Sequence, residues 1–383
     1  MPKKNILIIT GTRSDYGLLK PIIEGVLKSK ILKLHLLVTG MHTLKKYGLT
    51  LKEIKKDKIP IAGFVPISEK DDMLSALAKE LNGINKYCLN NRIDLVIAQG
   101  DRDEPFAGAI VAGHLGIPVA HIHGGDVTGP TVDEYIRHAI TKFSHLHFTV
   151  SRKSRQRVIK LGEEKWRVFN VGAPGLDILR TMSYKNKGDL ADQLNINPSK
   201  KWFLIVQHPT HLEKIGIKDQ IVPTLAAIKS FDAEKIIIYP NSDSGSNVFI
   251  REINKYHRKE GFYIHKNLSR ETYANLLKCA DVLIGNSSSG ILEAGYLKLP
   301  VVNIGNRQED RECGQNVIHV GYNTAGIQTA IRTALSPKFK DICKKVNHPY
   351  GRGRAGLKIV TAIEENVKSK KLLNKGFTYA KTT

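Results

Sequence analysis

Residues Gln99–Ala139 read QGDRDEPFAGAIVAGHLGIPVAHIHGGDVTGPTVDEYIRHA, and this stretch decides the fold. Two short apolar segments, Leu95–Ala98 and Ile117–Ala120, each run into polar residues and are each followed by a segment with helical periodicity. Strands that alternate with helices in this way predict a doubly wound parallel sheet of the α/β class. Ligands bind such sheets at the carboxyl ends of the strands, which is where these polar residues lie.

The polar residues of this stretch are of the types that transfer protons. Asp101 follows the first strand, His121, His123 and Asp126 accompany the second, and Asp133 lies at the head of the next predicted helix. Because adjacent parallel strands end at one edge of a sheet, we expect these side chains to gather there. Acid–base chemistry needs such groups, in environments that separate their pKa values. We therefore predict that these five residues form part of a functional site.

Each of these residues also has a purely structural alternative. Asp101 could form a salt bridge with Arg102, the two histidines could be satisfied core residues, and Asp133 could cap its own helix. The pattern His121-x-His123 also resembles a metal-binding pair, but no further ligands are spaced to complete it. We therefore expect no metal.

The composition describes a globular chain that is long enough for two domains. Of its 383 residues, 41% are hydrophobic and 25% are charged. No apolar run approaches the ~20 residues that span a bilayer, and the N-terminal segment MPKKNILIIT is better interpreted as a buried strand than as a signal peptide. The four cysteines form no CxxC pair, which favours a reducing compartment and predicts a cytoplasmic protein.

The net charge of +23 favours an anionic ligand. Nucleic acid is a poor candidate, because the lysines are scattered and no aromatic residues or RNA-binding signature accompany them. A positive field suits a small anionic substrate.

The strand–helix alternation occurs twice along the chain and predicts two Rossmann-like domains that face each other across a cleft. Residues 1–172 form the first domain, and residues 173–200 form a polar inter-domain passage. Residues 201–356 form the second domain, followed by a C-terminal helix and tail over residues 357–383.

Two strand ends are predicted to bind phosphate. Arg13 follows the first strand near a helix N-terminus, where anions bind, although the turn is neither GxGxxG nor a Walker A loop. In the second domain a strand ends in Gly285–Gly290, GNSSSG, where Ser287 and Ser288 with backbone amides would hold a diphosphate. Helix capping is the structural alternative. Glu293 would accept ribose hydroxyls, as acidic residues do in dinucleotide sites, and Arg307 adds a cation.

The order and separation of several motifs carry a resemblance to a known family. The motifs are Thr10–Leu19, Gly40–His42, Gly100–Arg102, His121–Asp126, Asp133–His138, His208–Pro209, Asn241–Gly245 and Gly285–Arg311. Together they resemble the hydrolysing UDP-N-acetylglucosamine 2-epimerases of bacterial sialic-acid and legionaminic-acid synthesis. The resemblance extends to about residue Gly321.

The resemblance implies a GT-B-like fold and a specific reaction. UDP-N-acetylglucosamine and water would give N-acetylmannosamine and UDP, by anti elimination to 2-acetamidoglucal and then addition of water. No cofactor and no metal would be needed, and the protein would be a homodimer or homotetramer. From the lysine pattern and the lack of a long apolar run we expect it to bind neither nucleic acid nor membrane. The resemblance implies catalytic roles for Asp101 and Asp133, with His121, His123, Asp126 and His208 as further catalytic candidates. It assigns substrate binding to Arg13, His42, Arg102, Asp243, Gly245, Ser287, Ser288, Glu293 and Arg307.

The chain departs from the family pattern at two positions. One version of the family has glutamate where this chain has His123, and another version has histidine there but glutamate where this chain has Asp126. The residue that protonates C-2 is therefore open among Asp126, Asp133 and Glu134.

Other functions remain open at this stage. A related hydrolysing epimerase could act on a GDP- or UDP-linked diacetylated amino sugar, because the serine residues do not discriminate bases. A GT-B glycosyltransferase would share the phosphate contacts but would not need the carboxylate cluster. A non-catalytic binder of nucleotide sugars is the third alternative.

Overall fold

The computed structural model describes residues 2–44, 51–127, 132–210, 213–240 and 245–378. The chain divides into two compact units, one of residues 1–180 with 350–383 and one of residues 181–349. Each unit contains a parallel sheet with helices, so the predicted α/β class with two Rossmann-like doubly wound domains is confirmed.

Within the described residues, the sheet of the first unit has seven strands in the order β3-β2-β1-β4-β5-β6-β7. The strands are β1 (Lys4–Thr10), β2 (Leu32–Val38), β3 (Gly63–Phe64), β4 (Leu95–Gln99), β5 (Val119–Ile122), β6 (Leu146–Thr149) and β7 (Val168–Asn170). The helices before the second unit are α1 (Arg13–Lys28), α2 (Leu51–Lys56), α3 (Met73–Asn90), α4 (Asp103–His114), α5 (Val132–Phe143), α6 (Arg152–Lys160) and α7 (Gly175–Thr181). β1 and β4 are buried along their apolar residues, as expected of central parallel strands.

The described part of the second unit has a sheet of six strands in the order β10-β9-β8-β11-β12-β13. The strands are β8 (Trp202–Val206), β9 (Glu234–Ile238), β10 (Phe262–His265), β11 (Val282–Gly285), β12 (Val301–Ile304) and β13 (Val317–Val320). The helices are α8 (Lys187–Leu194), α9 (Ile217–Lys229), α10 (Ser246–Asn254), α11 (Arg270–Cys279), α12 (Ser288–Leu292), α13 (Thr324–Leu335) and α14 (Pro337–Lys344).

The strand order of each sheet reverses at one point. In the first unit the reversal lies between β1 and β4, and in the second between β8 and β11. The crevice outside the carboxyl ends of two such strands is the usual ligand site of open α/β sheets. The predicted site residues that follow these four strands therefore lie at the expected position in each unit.

The apolar periodicity predicts a helix over Leu18–Lys28, and helix α1 begins five residues earlier, at Arg13. The Thr12 side chain accepts a hydrogen bond from the backbone of Asp15, and the Asp15 carboxylate accepts from the backbone N–H of Thr12. This capping box satisfies free backbone donors of the first turn, so the helix starts at Arg13 rather than at Leu18.

The end of the chain belongs to the first unit. Helix α15 (Ala355–Asn366) packs on α1, and the Asp177 carboxylate accepts from the backbone N–H groups of Ala355 and Gly356, both at 2.8 Å. Further along, Lys375 Nζ lies 2.8 Å from the buried Glu163 carboxylate. The sequence-based division, with a second domain to residue 356 and a separate tail, differs from these units because such packing has no local signature.

Some elements were not predicted from the sequence. β10 and β13 are edge strands with half-buried or exposed residues, so they lack the apolar run that marks a central strand. Helix α13 was also not predicted. Among the described residues, no helix has the length and apolar character needed to cross a membrane.

Candidate functional site

A buried arginine joins the candidate carboxylates of the first unit. Arg137 on α5 is 0% exposed, and its guanidinium donates hydrogen bonds to the carboxylates of Asp101 and Glu134. It also donates to the backbone oxygen of Asp126 at 2.9 Å. The ends of β4 and β5 and the first turn of α5 are thereby held together. The sequence analysis gave Arg137 no role, although its i+3 spacing from Glu134 was an available signal.

His121 on β5 is fully buried and has both ring nitrogens occupied. Nδ1 lies 3.1 Å from Thr141 Oγ1, and Nε2 lies 2.8 Å from the backbone oxygen of Gly100. Burial lowers the pKa of His121 to about 3, so the ring is neutral near pH 7. This arrangement fits a role in fixing the turn that carries Asp101 better than a role in proton transfer.

His123 and Asp126 form a pair at the end of β5. His123 Nδ1 lies 2.9 Å from one carboxylate oxygen of Asp126, and the other oxygen accepts from Ser154 Oγ at 2.7 Å. His123 has a φ of 70°, a left-handed conformation that is uncommon for a residue other than glycine. Strain of this kind is concentrated at functional sites. Asp126 therefore orients the His123 ring, whose buried Nε2 has no hydrogen-bond partner among the described residues.

Asp133 differs from the other carboxylates of the cluster. Glu134 is bonded to Arg137 and lies 3.2 Å from His138 Nε2, whereas Asp133 makes no hydrogen bond or ion pair with the described residues. Burial and the charge of Asp101 raise the pKa of Asp133. Asp133 is the second residue of α5, so it does not occupy the N-cap position.

Arg102 and Glu104 lie at the start of α4, beside the glycine turns after β1 and β2. Arg102 Nε donates to Glu104 at 3.2 Å. A Cβ added at Gly11 would lie 2.2 Å from the Glu104 carboxylate, and one at Gly40 would lie 2.6 Å from it. Gly40 has a φ of 56°, in the left-handed region that favours glycine, and the buried Glu104 side chain lies against both turns. The sequence analysis did not select Glu104.

Arg13 and His42 lie at the ends of β1 and β2. Arg13 is the first residue of α1, near the predicted position, and its side chain pairs with Glu53 at 2.6 Å while 36% exposed. His42, in a 3₁₀ turn at Gly40–Thr43, is fully buried with Nε2 3.1 Å from Thr10 Oγ1. Burial lowers the pKa of His42 to about 4.

In the second unit, His208 is fixed at the end of β8 by Asn286 at the end of β11. The His208 N–H donates to Asn286 Oδ1 at 2.7 Å, and Asn286 Nδ2 donates to the His208 backbone oxygen at 2.9 Å. Arg307 Nη1 donates to the backbone oxygen of Asn286 at 3.1 Å. Burial, and then the charge of Arg307, lower the pKa of His208 to about 3. These three residues meet at the reversal of the second sheet.

The serine residues after β11 follow a turn that requires glycine. Gly285 has a φ of 129°, and a Cβ there would lie 2.1 Å from the Val206 backbone oxygen. Ser287 caps α12 by accepting from the backbone of Ser289, and the two hydroxyls are 3.0 Å apart. The capping alternative is thus realised at Ser287. Ser288 remains half-buried with no hydrogen bond of its hydroxyl to the described residues.

Three further candidates, Glu293, Gly245 and Asp243, belong to the second unit. Glu293 follows α12 and pairs with Arg270. Gly245 caps α10 with a φ of 86°. Asp243 lies outside the described residues. The described residues contain no group of three or more His, Cys, Asp or Glu side chains arranged for a metal ion.

The chain is similar to known proteins over nearly its whole length. Residues 26–364 match the family described as UDP-N-acetylglucosamine 2-epimerase. The UDP-N,N'-diacetylbacillosamine 2-epimerase (hydrolyzing) of Legionella pneumophila is 37% identical over 377 residues, covering 97% of this chain and 98% of that protein. The polysialic acid biosynthesis protein P7 of Escherichia coli is 35% identical over 373 residues, covering 96% and 95% respectively.

A solved structure has the same fold. The UDP-GlcNAc 2-epimerase of Neisseria meningitidis, bound to UDP-GlcNAc, matches with a TM-score of 0.83 at 18% identity, covering 94% of this chain and 100% of that one. The similarity confirms the GT-B-like fold class.

Proposed function

The chain belongs to the UDP-N-acetylglucosamine 2-epimerase family, and we propose that it is a hydrolysing epimerase that converts UDP-N-acetylglucosamine and water into N-acetylmannosamine and UDP. The main support is the Arg137 cluster, which gathers Asp101, Glu134 and the backbone of Asp126 beside Asp133. A glycosyltransferase or a simple binder has no need for so many acidic groups at one strand edge.

The proposed reaction needs two proton transfers at C-2 of the sugar. A base removes the C-2 proton as UDP leaves, which gives 2-acetamidoglucal. An acid then protonates C-2 on the other face while water adds at C-1. The two steps need groups whose environments differ, because one must accept a proton and the other must supply one.

We assign the protonation of C-2 to Asp133. Of the three acids that the sequence left open, Asp126 is occupied with His123 and Ser154, and Glu134 with Arg137 and His138. Asp133 makes no hydrogen bond or ion pair with the described residues, and burial raises its pKa, which favours the protonated form that an acid catalyst needs. Asp101 and the oriented ring of His123 are then the candidates for removing the proton.

The second unit supplies the groups for the leaving nucleotide. His208 is neutral near pH 7 because burial lowers its pKa to about 3, so it can donate one N–H to a phosphate oxygen without carrying charge. Arg307 supplies positive charge for the developing diphosphate, with Ser287 and Ser288 as hydroxyl donors. Each such donor is typically worth about 3 kcal/mol in the transition state. Glu293 is assigned to the ribose hydroxyls.

A second candidate substrate is a UDP-linked diacetylated amino sugar. The relative from Legionella pneumophila, at 37% identity, is named for UDP-N,N'-diacetylbacillosamine. The relative P7, named for polysialic acid biosynthesis, supports N-acetylmannosamine as the product and a place in sialic-acid synthesis. Both reactions share the same chemistry at C-2 and C-1 and differ in the substituents at C-4 and C-6.

The test is to incubate the purified chain with UDP-N-acetylglucosamine in D₂O and to follow the products by NMR. We expect UDP and N-acetylmannosamine that carries one deuterium at C-2, because the proton removed is replaced from solvent. Parallel reactions with UDP-N,N'-diacetylbacillosamine and with the GDP-linked sugars rank the substrates by kcat/KM. Release of no nucleotide from any of them contradicts the hydrolase proposal, and sugar transfer to an added acceptor would support the glycosyltransferase alternative.

A further inference from the structure

An arginine that no motif contains holds the proposed ribose-binding carboxylate. Arg270, the first residue of α11, donates from Nη1 to Glu293 Oε2 at 3.2 Å and from Nη2 to Glu293 Oε1. The Glu293 side chain is only 12% exposed, and that of Arg270 is 39% exposed. This two-pronged geometry fixes both the position and the plane of the carboxylate, which a single hydrogen bond does not do.

Helix α11 also contacts the serine residues Ser287–Ser289, which precede Glu293 in the chain. Tyr273 lies three residues after Arg270, so the two side chains share a face of α11. The Tyr273 hydroxyl is hydrogen-bonded to Ser289 Oγ, which lies 3.0 Å from Ser287 Oγ. Burial raises the pKa of Tyr273 to about 12, so its hydroxyl keeps its proton near pH 7. One face of α11 therefore restrains both ends of the segment from Ser287 to Glu293.

Glu293 needs such a restraint because it lies at the end of a very short helix. It follows the five-residue helix α12 as the C-cap, with φ −117° and ψ −43°. An ionised carboxylate has about four lone-pair sites, and the arginine fork uses two of them. Two sites remain for a pair of neighbouring hydroxyl groups, which is what the cis-diol of a ribose presents.

We propose that Arg270 is a positioning residue that orients Glu293 to accept the ribose hydroxyls of the nucleotide. The proposal rests on the proposed function, in which Glu293 faces the ribose. Arg270 itself touches no substrate in this scheme. By orienting Glu293, it increases the ratio of the affinity for a ribonucleotide to the affinity for a nucleotide that lacks the diol.

The experiment compares UDP with 2′,3′-dideoxy-UDP by calorimetry on the full chain. For the unchanged protein we expect the dideoxy compound to bind about 10- to 100-fold more weakly, as for loss of hydrogen bonds to a charged group. In Arg270→Met, UDP should weaken by about the same factor while 2′,3′-dideoxy-UDP changes less than about threefold. The variant Glu293→Gln should behave alike, and adding Arg270→Met to it should cost nothing further, because the two residues act as one unit.

Controls separate this role from general damage. Arg332→Met removes an exposed arginine of the same unit and should leave both affinities unchanged. Arg270→Lys keeps the charge without the fork and should recover only part of the discrimination. Equal weakening of both ligands in Arg270→Met, with the preference for the diol intact, overturns the positioning role. Failure of the unchanged chain to bind UDP at all overturns the proposed function instead.

Discussion

The Arg137 guanidinium donates a hydrogen bond to the carboxylate of Asp101, 36 residues earlier in the chain. Arg137 is 0% exposed and the Asp101 side chain is 27% exposed, so a buried cation meets an anion that solvent can still reach. The same guanidinium bonds Glu134 and the Asp126 backbone. Arg137 therefore joins Asp101, a candidate for removing the C-2 proton, to Glu134 and to the backbone of Asp126.

Replacing Arg137 should lower turnover sharply. In Arg137→Met the buried cation is lost, and Asp101 and Glu134 lose their shared hydrogen-bond donor. The two carboxylate side chains are 27% and 19% exposed, so solvent offsets part of the cost of breaking the ion pairs. We expect kcat to fall by at least about 100-fold and the melting temperature to drop. Arg137→Lys should keep more of the stability than of the activity, because a single ammonium cannot hold three acceptors in the same geometry. The exposed Arg152→Met is the control, and an active Arg137→Met would remove the cluster from the mechanism.

Asp133→Asn should separate the two chemical steps. If Asp133 returns the proton to C-2, the variant still releases UDP in the first turnover but hydrates the intermediate slowly. NMR should then detect 2-acetamidoglucal in an amount that is proportional to the enzyme concentration. Asp126→Asn and Glu134→Gln are the matched comparisons, and accumulation in one of these two but not in Asp133→Asn would assign the acid elsewhere.

His123 and Asp126 should behave as one functional unit. The Asp126 carboxylate lies 2.9 Å from His123 Nδ1 and so fixes the orientation of the imidazole ring. We expect His123→Ala and Asp126→Ala to lower kcat by similar factors, and the double variant to be no slower than either. His123→Gly relieves the φ of 70° and should be more stable than His123→Ala while equally inactive. Independent, additive losses would show that the pair does not act together.

The buried Glu80 should make the stability of the chain depend on pH. Burial, and then the charge of Glu104, raise the pKa of Glu80 from 4.5 to about 8, and its carboxylate accepts from Thr39 Oγ1 at 2.9 Å. Between pH 4.5 and 8 the folded chain keeps a proton that the unfolded chain has lost, so stability falls as the pH rises through this range. The rate is about 1.4 kcal/mol per pH unit for full linkage.

Glu80→Gln imitates the protonated form at every pH. Its melting temperature should exceed that of the unchanged chain by a margin that grows from pH 5 to pH 8 and then stays constant. The exposed Glu365→Gln is the control and should show no such trend. If the difference in melting temperature between Glu80→Gln and the unchanged chain is the same at every pH in this range, Glu80 is ionised in the folded protein.

Most of the fold and part of the candidate site could be predicted from local patterns. The apolar strands β1, β4, β8 and β11 are buried in the sheets and have a clear sequence signal, and turn residues follow them directly. The positions of Asp101 and His208 directly after strands could therefore be predicted without knowing how the strands pack. The edge strands β10 and β13 were not predicted because half-exposed strands bury too little apolar surface to leave a pattern.

The sequence by itself determined the α/β class, the positions of the strand ends and the residue types that follow them, because hydrophobic periodicity and turn chemistry act over a few residues. Only the tertiary structure decided which of those residues meet. Arg137 bonds Asp101 over 36 positions, Arg270 bonds Glu293 over 23, and Asn286 bonds His208 over 78. Such contacts depend on strand order and helix packing, which no local pattern records. The tertiary structure also distinguishes the three candidate acids. Asp126 and Glu134 are hydrogen-bonded to other side chains, whereas Asp133 has no partner in the described residues.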